Sequence, residues 1–178
     1  ITRSSSARAM ARSAAHSSNN LLRDVRKAGG TGIAVKADMA DEASLVDMFK
    51  RCDRELAPLG GLVNNAGYLG GESDIEEFDA ANMRHLWDVN VVAYFVCARE
   101  AVRRMSTKRG GKGGSIVNVS SMSADSGGIG PRIHYATTNG ARRTFTFGLA
   151  KQSGAKGIRV NGVMPGVIDT NFNDDFDN

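Results

Sequence analysis

The sequence predicts an α/β fold built on a parallel sheet. Three observations carry that expectation. Short apolar runs rich in Ile and Val alternate with longer stretches whose apolar residues recur at helical spacing. The run Ser115-Ile116-Val117-Asn118-Val119 ends in two hydroxyls, Ser120-Ser121, as a buried parallel strand does when its C-terminal tip faces a crevice. Finally, 21 glycines against three prolines in 178 residues supply tight strand-to-helix turns within one domain.

Taken in order, residues 1–19 are rich in Ser, Ala and Arg and poor in large apolar residues. They read as a solvated tail or as the remnant of a strand. Residues 20–28 form a helix that stops at Gly29-Gly30, a C-cap signal. Gly32-Ile33-Ala34-Val35-Lys36-Ala37 reads as a strand with Asp38 at its tip. Asp41 is the N-cap of a helix over 41–56, in which Leu45, Phe49, Cys52 and Leu56 make one apolar stripe. Pro58-Leu59-Gly60 ends it, and Gly61-Leu62-Val63-Asn64 is a short strand leaving through the turn Asn65-Ala66-Gly67. Asp79 caps a long helix to Met105, with a stripe of Met83, Trp87, Val91, Phe95, Ala98, Val102 and Met105. Asn90 falls on or beside that stripe, where a polar amide needs a partner. The strand at 115–120 leads through Gly127, Gly128, Gly130 and Pro131 into a helix over 134–153, with Ala141, Phe145, Gly148 and Leu149 as its core stripe. Ile158-Arg159-Val160-Asn161-Gly162-Val163 is the next strand, followed by the loop Pro165-Gly166-Val167-Ile168-Asp169-Thr170 and an acidic tail at 173–178.

Bulk properties narrow the function. The net charge is only +4. The densest basic segment, Arg99 to Lys112, lies at a helix C-terminus, where cations suit the dipole. No aromatic residues interleave with it, so it reads as a solvated helix end and not as a nucleic-acid surface. No run of about 18 apolar residues is available to span a membrane, and no secretory leader opens the sequence. Cys52 and Cys97 are expected to be free thiols of a cytoplasmic protein, and three scattered histidines give no metal cluster.

The glycine-rich loop lets the chain turn back, so that Tyr135 approaches Ser121. A serine and a tyrosine hydroxyl converging at a strand tip can polarise a carbonyl or carbinol, which is acid/base geometry. Here the chain resembles the short-chain dehydrogenase/reductase family. The resemblance rests on Asn118-Val119-Ser120-Ser121 with Tyr135 14 residues after Ser121, on Asn64-Asn65-Ala66-Gly67, on Asp88-Val89-Asn90, and on Ile158-Arg159-Val160-Asn161 with Pro165-Gly166. It implies a Rossmann-like three-layer parallel sheet, here one partial domain over 1–178 truncated at both ends. It also implies an NAD(P)-dependent oxidoreductase interconverting a secondary alcohol and a ketone. The catalytic positions it implies are Asn90, Ser121, Tyr135 and Asn139. For an NADP or NAD cofactor it implies Asp38, Asn65, Ala66, Gly67, Tyr135, Asn139, Pro165, Gly166 and Thr170.

Two departures from the family pattern set further expectations. The family places lysine four residues after the tyrosine, and this sequence has Asn139. A lysine there favours the phenolate by its charge and binds ribose hydroxyls; asparagine keeps the face without the charge. Arg142, where the family usually has an aliphatic residue, lies on the same stripe but starts two turns from Tyr135. The family also opens on a strand and a glycine-rich phosphate loop, for which residues 1–19 offer no counterpart. Little or no hydride transfer is therefore expected. The alternative is a non-catalytic domain that self-associates through helices 79–105 and 134–153.

Overall fold

The computed structural model describes residue 18 and residues 20–168. Expectations for Thr170 and the acidic tail fall outside these residues. Helix α1 covers 20–27 and is followed by α2 (Glu42–Glu55). Strand β1 (Gly61–Asn64) leads to α3 (Ala80–Trp87), a π turn (Asp88–Val92) and α4 (Ala93–Met105). Strand β2 (Gly114–Val119), the short α5 (Ser123–Ser126), α6 (Ile133–Ser153) and β3 (Ile158–Val163) complete the described chain. The three strands are parallel in the order β1-β2-β3, with Asn64 opposite Asn118 and Asn118 opposite Gly162. The fold is thus α/β, a parallel sheet flanked by helices.

Local chemistry explains the elements. The Asp41 side chain accepts from Ala43 N and starts α2, and Asp79 accepts from Ala81 N and Asn82 N to start α3. Leu45 and Phe49 of α2 pack with Val96 and Cys97 of α4 against Ile116 and Ile158 of the sheet. Glu100 lies buried on α4 and accepts hydrogen bonds from Arg99, Arg103 and Arg104. Arg104 then forks onto Asp53 of α2 at 2.7 and 2.8 Å, and Arg99 reaches Glu42 at 2.8 Å. Arg99 and Arg104 therefore clamp α4 to α2, where the sequence pattern pointed to a solvated end. Among the described residues no helix is long and apolar enough to cross a membrane.

Three other expectations are corrected. Residues 32–37 form no strand. A parallel strand exists only through its ladder, and among the described residues β1 pairs with β2 alone. The long helix is interrupted by the π turn, and Phe95 is 54% exposed while Tyr94, Ala93 and Leu86 are buried. One extra residue in a turn rotates the downstream face by about 100°, which moves Phe95 out of the stripe. In α6 the buried face is polar, carrying His134, Thr138, Asn139, Arg142 and Thr146, while Gly148 is exposed and Phe145 and Leu149 are only half-buried. That polar face is turned toward the strand tips and is held by hydrogen bonds.

Candidate active site

The C-terminal ends of β1 and β2 meet the π turn and the first half of α6, and a continuous hydrogen-bonded network joins them. An amide ladder crosses the sheet. Asn64 Nδ2 donates to Asn118 Oδ1 at 2.9 Å, Asn118 Nδ2 donates to Thr146 Oγ1 at 3.0 Å, and Thr146 Oγ1 donates to the Arg142 carbonyl at 2.8 Å. Buried amides need such partners, and this ladder fixes α6 against the strands in one register.

Asn90 is fully buried in the π turn. Its Oδ1 accepts from Tyr68 N at 2.8 Å, and its Nδ2 donates to Tyr68 O at 2.8 Å and to Thr138 Oγ1 at 3.1 Å. It thereby ties the segment leaving β1 to α6. Ser120 is buried, and its hydroxyl donates to the Asn139 carbonyl at 3.0 Å. Ser121 is half-buried and its Oγ accepts from Ser123 N at 3.1 Å, which leaves its own proton to donate. The Ser123 hydroxyl is buried without a hydrogen-bond partner among the described residues. Tyr135 sits half-buried in the first turn of α6. Asn139, one turn on, is fully buried, with Nδ2 donating to the Tyr135 carbonyl at 3.0 Å.

Arg142 holds the centre of the network. It is 3% exposed and packs its guanidinium over the Tyr94 ring, 4.2 Å from the centroid. Its Nε donates to Asn90 O at 2.6 Å. Nη2 donates to Asn90 Oδ1 at 2.8 Å and to Ala66 O at 3.1 Å. Nη1 makes longer contacts of 3.4 Å with Val119 O and Asn139 Oδ1. Each of the five guanidinium protons has an oxygen to face, and no carboxylate among the described residues pairs with it. Burial lowers its pKa from the ordinary arginine value, and the Tyr94 and Tyr135 hydroxyls oppose that shift. An arginine stays charged at neutral pH all the same. Tyr94 shares the cage: its hydroxyl donates to Val119 O at 2.9 Å, with Ala66 O at 3.2 Å. Burial pushes its pKa up to about 12 against the pull of Arg142.

The other sequence-derived positions lie around this centre or away from it. Asn65 is exposed at the exit of β1, with Ala66 and Gly67 half-buried behind it. A Cβ on Gly67 would meet Arg142 Nη2 at 3.5 Å. Pro165 accepts from Met122 N at 3.0 Å, which brings the half-buried Pro165 and exposed Gly166 beside the loop after β2. Asp38 is exposed at the entrance to α2, where it caps Ala40 N at 2.9 Å. A crevice of about 390 Å³ opens beside Tyr68 and is lined also by His134, Glu72 and Asn82. The central role of Arg142 was not legible from its distance along the helix. Its spacing of seven residues from Tyr135 was the available signal. Tyr94 carried no signal at all.

Comparison with known proteins places this arrangement. A family model described as short chain dehydrogenase matches residues 4–178. The "uncharacterized oxidoreductase YgfF" of Escherichia coli (strain K12) is 43% identical over 155 residues, which is 87% of this chain and 63% of that protein. A dehydrogenase/reductase from Sinorhizobium meliloti 1021 superposes with a TM-score of 0.81 at 30% identity, covering 90% of this chain and 61% of that one. A short chain dehydrogenase from Burkholderia cenocepacia J2315, solved in complex with NADP, gives 0.79 at 29% identity, covering 87% and 61%. The chain thus spans less than two thirds of the length of these relatives.

Proposed function

The chain belongs to the short-chain dehydrogenase family, and from that premise we propose that it is an NAD(P)-dependent oxidoreductase of slow turnover, interconverting a small secondary alcohol and its ketone. The observation that carries the reading is the half-buried Tyr135 in the first turn of α6, on the same helix as the buried guanidinium of Arg142, with Ser121 just past the end of β2. In the reducing direction Tyr135 gives its hydroxyl proton to the carbonyl oxygen. Ser121, whose Oγ accepts from Ser123 N, donates a hydrogen bond to the same oxygen and keeps its own proton. Asn90 holds the backbone of Tyr68 and so shapes the substrate side.

The residues present fit the nicotinamide half of a dinucleotide in part. The exit turn Asn65-Ala66-Gly67 and the loop Pro165-Gly166 would hold it, with Asp38 toward an adenine and Thr170 beyond the described residues. When bound, the nicotinamide supplies or accepts the hydride. Asn139 fits a ribose poorly, because its amide is buried and committed to the Tyr135 carbonyl. Slow turnover follows from that loss. The test is NADPH and NADH oxidation with a panel of small ketones by the chain and by Tyr135→Phe. Weak turnover that the substitution abolishes is expected. Turnover untouched by it would overturn the assignment.

A second reading is favoured by one observation. Phe95 of α4 and Phe147 of α6 are 54% and 60% exposed, and Phe95 stacks on Phe145 with ring centroids 4.2 Å apart. A domain that pairs through this face with a second copy of itself needs no catalysis. Sedimentation of the chain against Phe95→Asp checks it: a dimer that the substitution dissociates supports pairing, and a monomer in both refutes it.

A further inference from the structure

We propose that positions 139 and 142 form one exchangeable charge pair, in which Arg142 is the buried cation that the site holds among the described residues and Asn139 is neutral because Arg142 is there. Tyr135, Asn139 and Arg142 follow one another at four and three residues on α6 and so share a face. Helical side chains lean toward the N-terminus, and the long Arg142 side chain brings its guanidinium back to 3.4 Å from Asn139 Oδ1. A lysine at 139 would set an ammonium against that guanidinium in a site closed to water, and like charges held there repel strongly. Asparagine offers an acceptor instead, and its Nδ2 turns to the Tyr135 carbonyl.

The pair divides two tasks that one lysine can combine. Arg142 keeps a fixed positive charge held by Asn90, Ala66 and Asn139 on the helix that carries Tyr135, and is therefore a positioning residue. It makes no hydrogen bond outward, because all five of its protons face Asn90 O, Asn90 Oδ1, Ala66 O, Val119 O and Asn139 Oδ1. The site keeps its charge and loses a ribose ligand. The inference deepens the reductase reading and rests on it only for its cofactor arm.

The experiment is a double-substitution cycle on the full chain with Asn139→Lys, Arg142→Met and both together, read first as thermal midpoints without cofactor. Asn139→Lys alone should lower the midpoint by about 5–10 °C. The double variant should lie above the sum of the two single losses, the non-additivity expected of a coupled pair. Additive losses would overturn the pairing. Asn139→Met controls for size and does not depend on Arg142→Met folding. It should lose clearly less than Asn139→Lys, and equal losses would overturn the charge argument. NADPH titration of the double variant should show tighter binding than the chain itself, by about tenfold for one regained charged hydrogen bond. If the midpoints couple and NADPH binds none of the variants, the pair stands and the reductase reading fails.

Discussion

Ser121 and Tyr135, the proposed catalytic hydroxyls, are marked by sequence because their signals are local: a hydroxyl at the end of a β-branched run, and a tyrosine at the start of the next helix. The structure separates the two serines by commitment. Ser120 is buried and spends its proton on Asn139 O, whereas Ser121 has a proton to give. Ser120→Ala should therefore cost stability, about 1 kcal/mol for one hydrogen bond, with turnover per folded molecule preserved. Ser121→Ala should leave the unfolding midpoint within about 0.5 kcal/mol and lower turnover by about 10²-fold or more. Urea unfolding and ketone reduction on both variants check this, and the reverse pattern would move the catalytic assignment to Ser120.

At the scale of elements, the π turn Asp88–Val92 decides what its helix can do. It brings Asn90 inward, where the side chain bonds Tyr68 on one side and Thr138 on the other, and it presents the Asn90 carbonyl to Arg142. Such turns recur at functional sites because they break the side-chain period of the helix. Asn90→Leu keeps the branched shape and strands the Tyr68 backbone groups and one guanidinium contact. It should cost about 3 kcal/mol, as leaving buried polar groups unpaired does, or roughly 6–12 °C in thermal midpoint for a chain of this size. A loss confined to about 1 kcal/mol would mean that the turn forms without the side chain. The helix was legible from its stripe and its cap, Asp79. The rotation that exposes Phe95 was not, since periodicity read along a sequence assumes a constant turn.

For the molecule as a whole, the buried titratable groups set how stability changes with pH. Burial pushes the Cys97 thiol up to about 11 and the Tyr94 hydroxyl up to about 12. The folded state thus holds protons that the unfolded chain releases, so this stability is full below about pH 9 and is lost as pH rises through 11. Cys97→Ala should flatten the decline between pH 9 and 11, where a rise from 9.0 to about 11 is worth up to about 3 kcal/mol. On the acid side, burial would raise the Glu100 carboxyl, but hydrogen bonds from Arg104 and Arg99 outweigh it and hold the group below the ordinary range. Its stabilising share is present above the usual carboxylate pKa and is lost as pH falls below it. Urea midpoints from pH 3 to 10.5 should therefore form a dome. An alkaline limb in Cys97→Ala as steep as in the parent would remove the thiol as its cause.

The sequence by itself determined the parallel strands 61–64, 115–120 and 158–163 and the helices between them, because β-branched runs, apolar periodicity and the caps Asp41 and Asp79 act over a few residues. It also determined which hydroxyls stand at the strand tip, and the family those motifs mark. Tertiary structure decided what depends on a neighbour distant in sequence. Residues 32–37 carry a strand's composition and form none, since a ladder needs a partner. The polar face of α6 is buried, against the apolar stripe read from its sequence, because strand tips and the π turn offer it acceptors. Arg142 reaches Asn90, Ala66 and Val119, 52, 76 and 23 residues away along the chain. A buried charge is stable only where such oxygens converge, and that convergence exists only once β1, β2, the π turn and α6 have packed together.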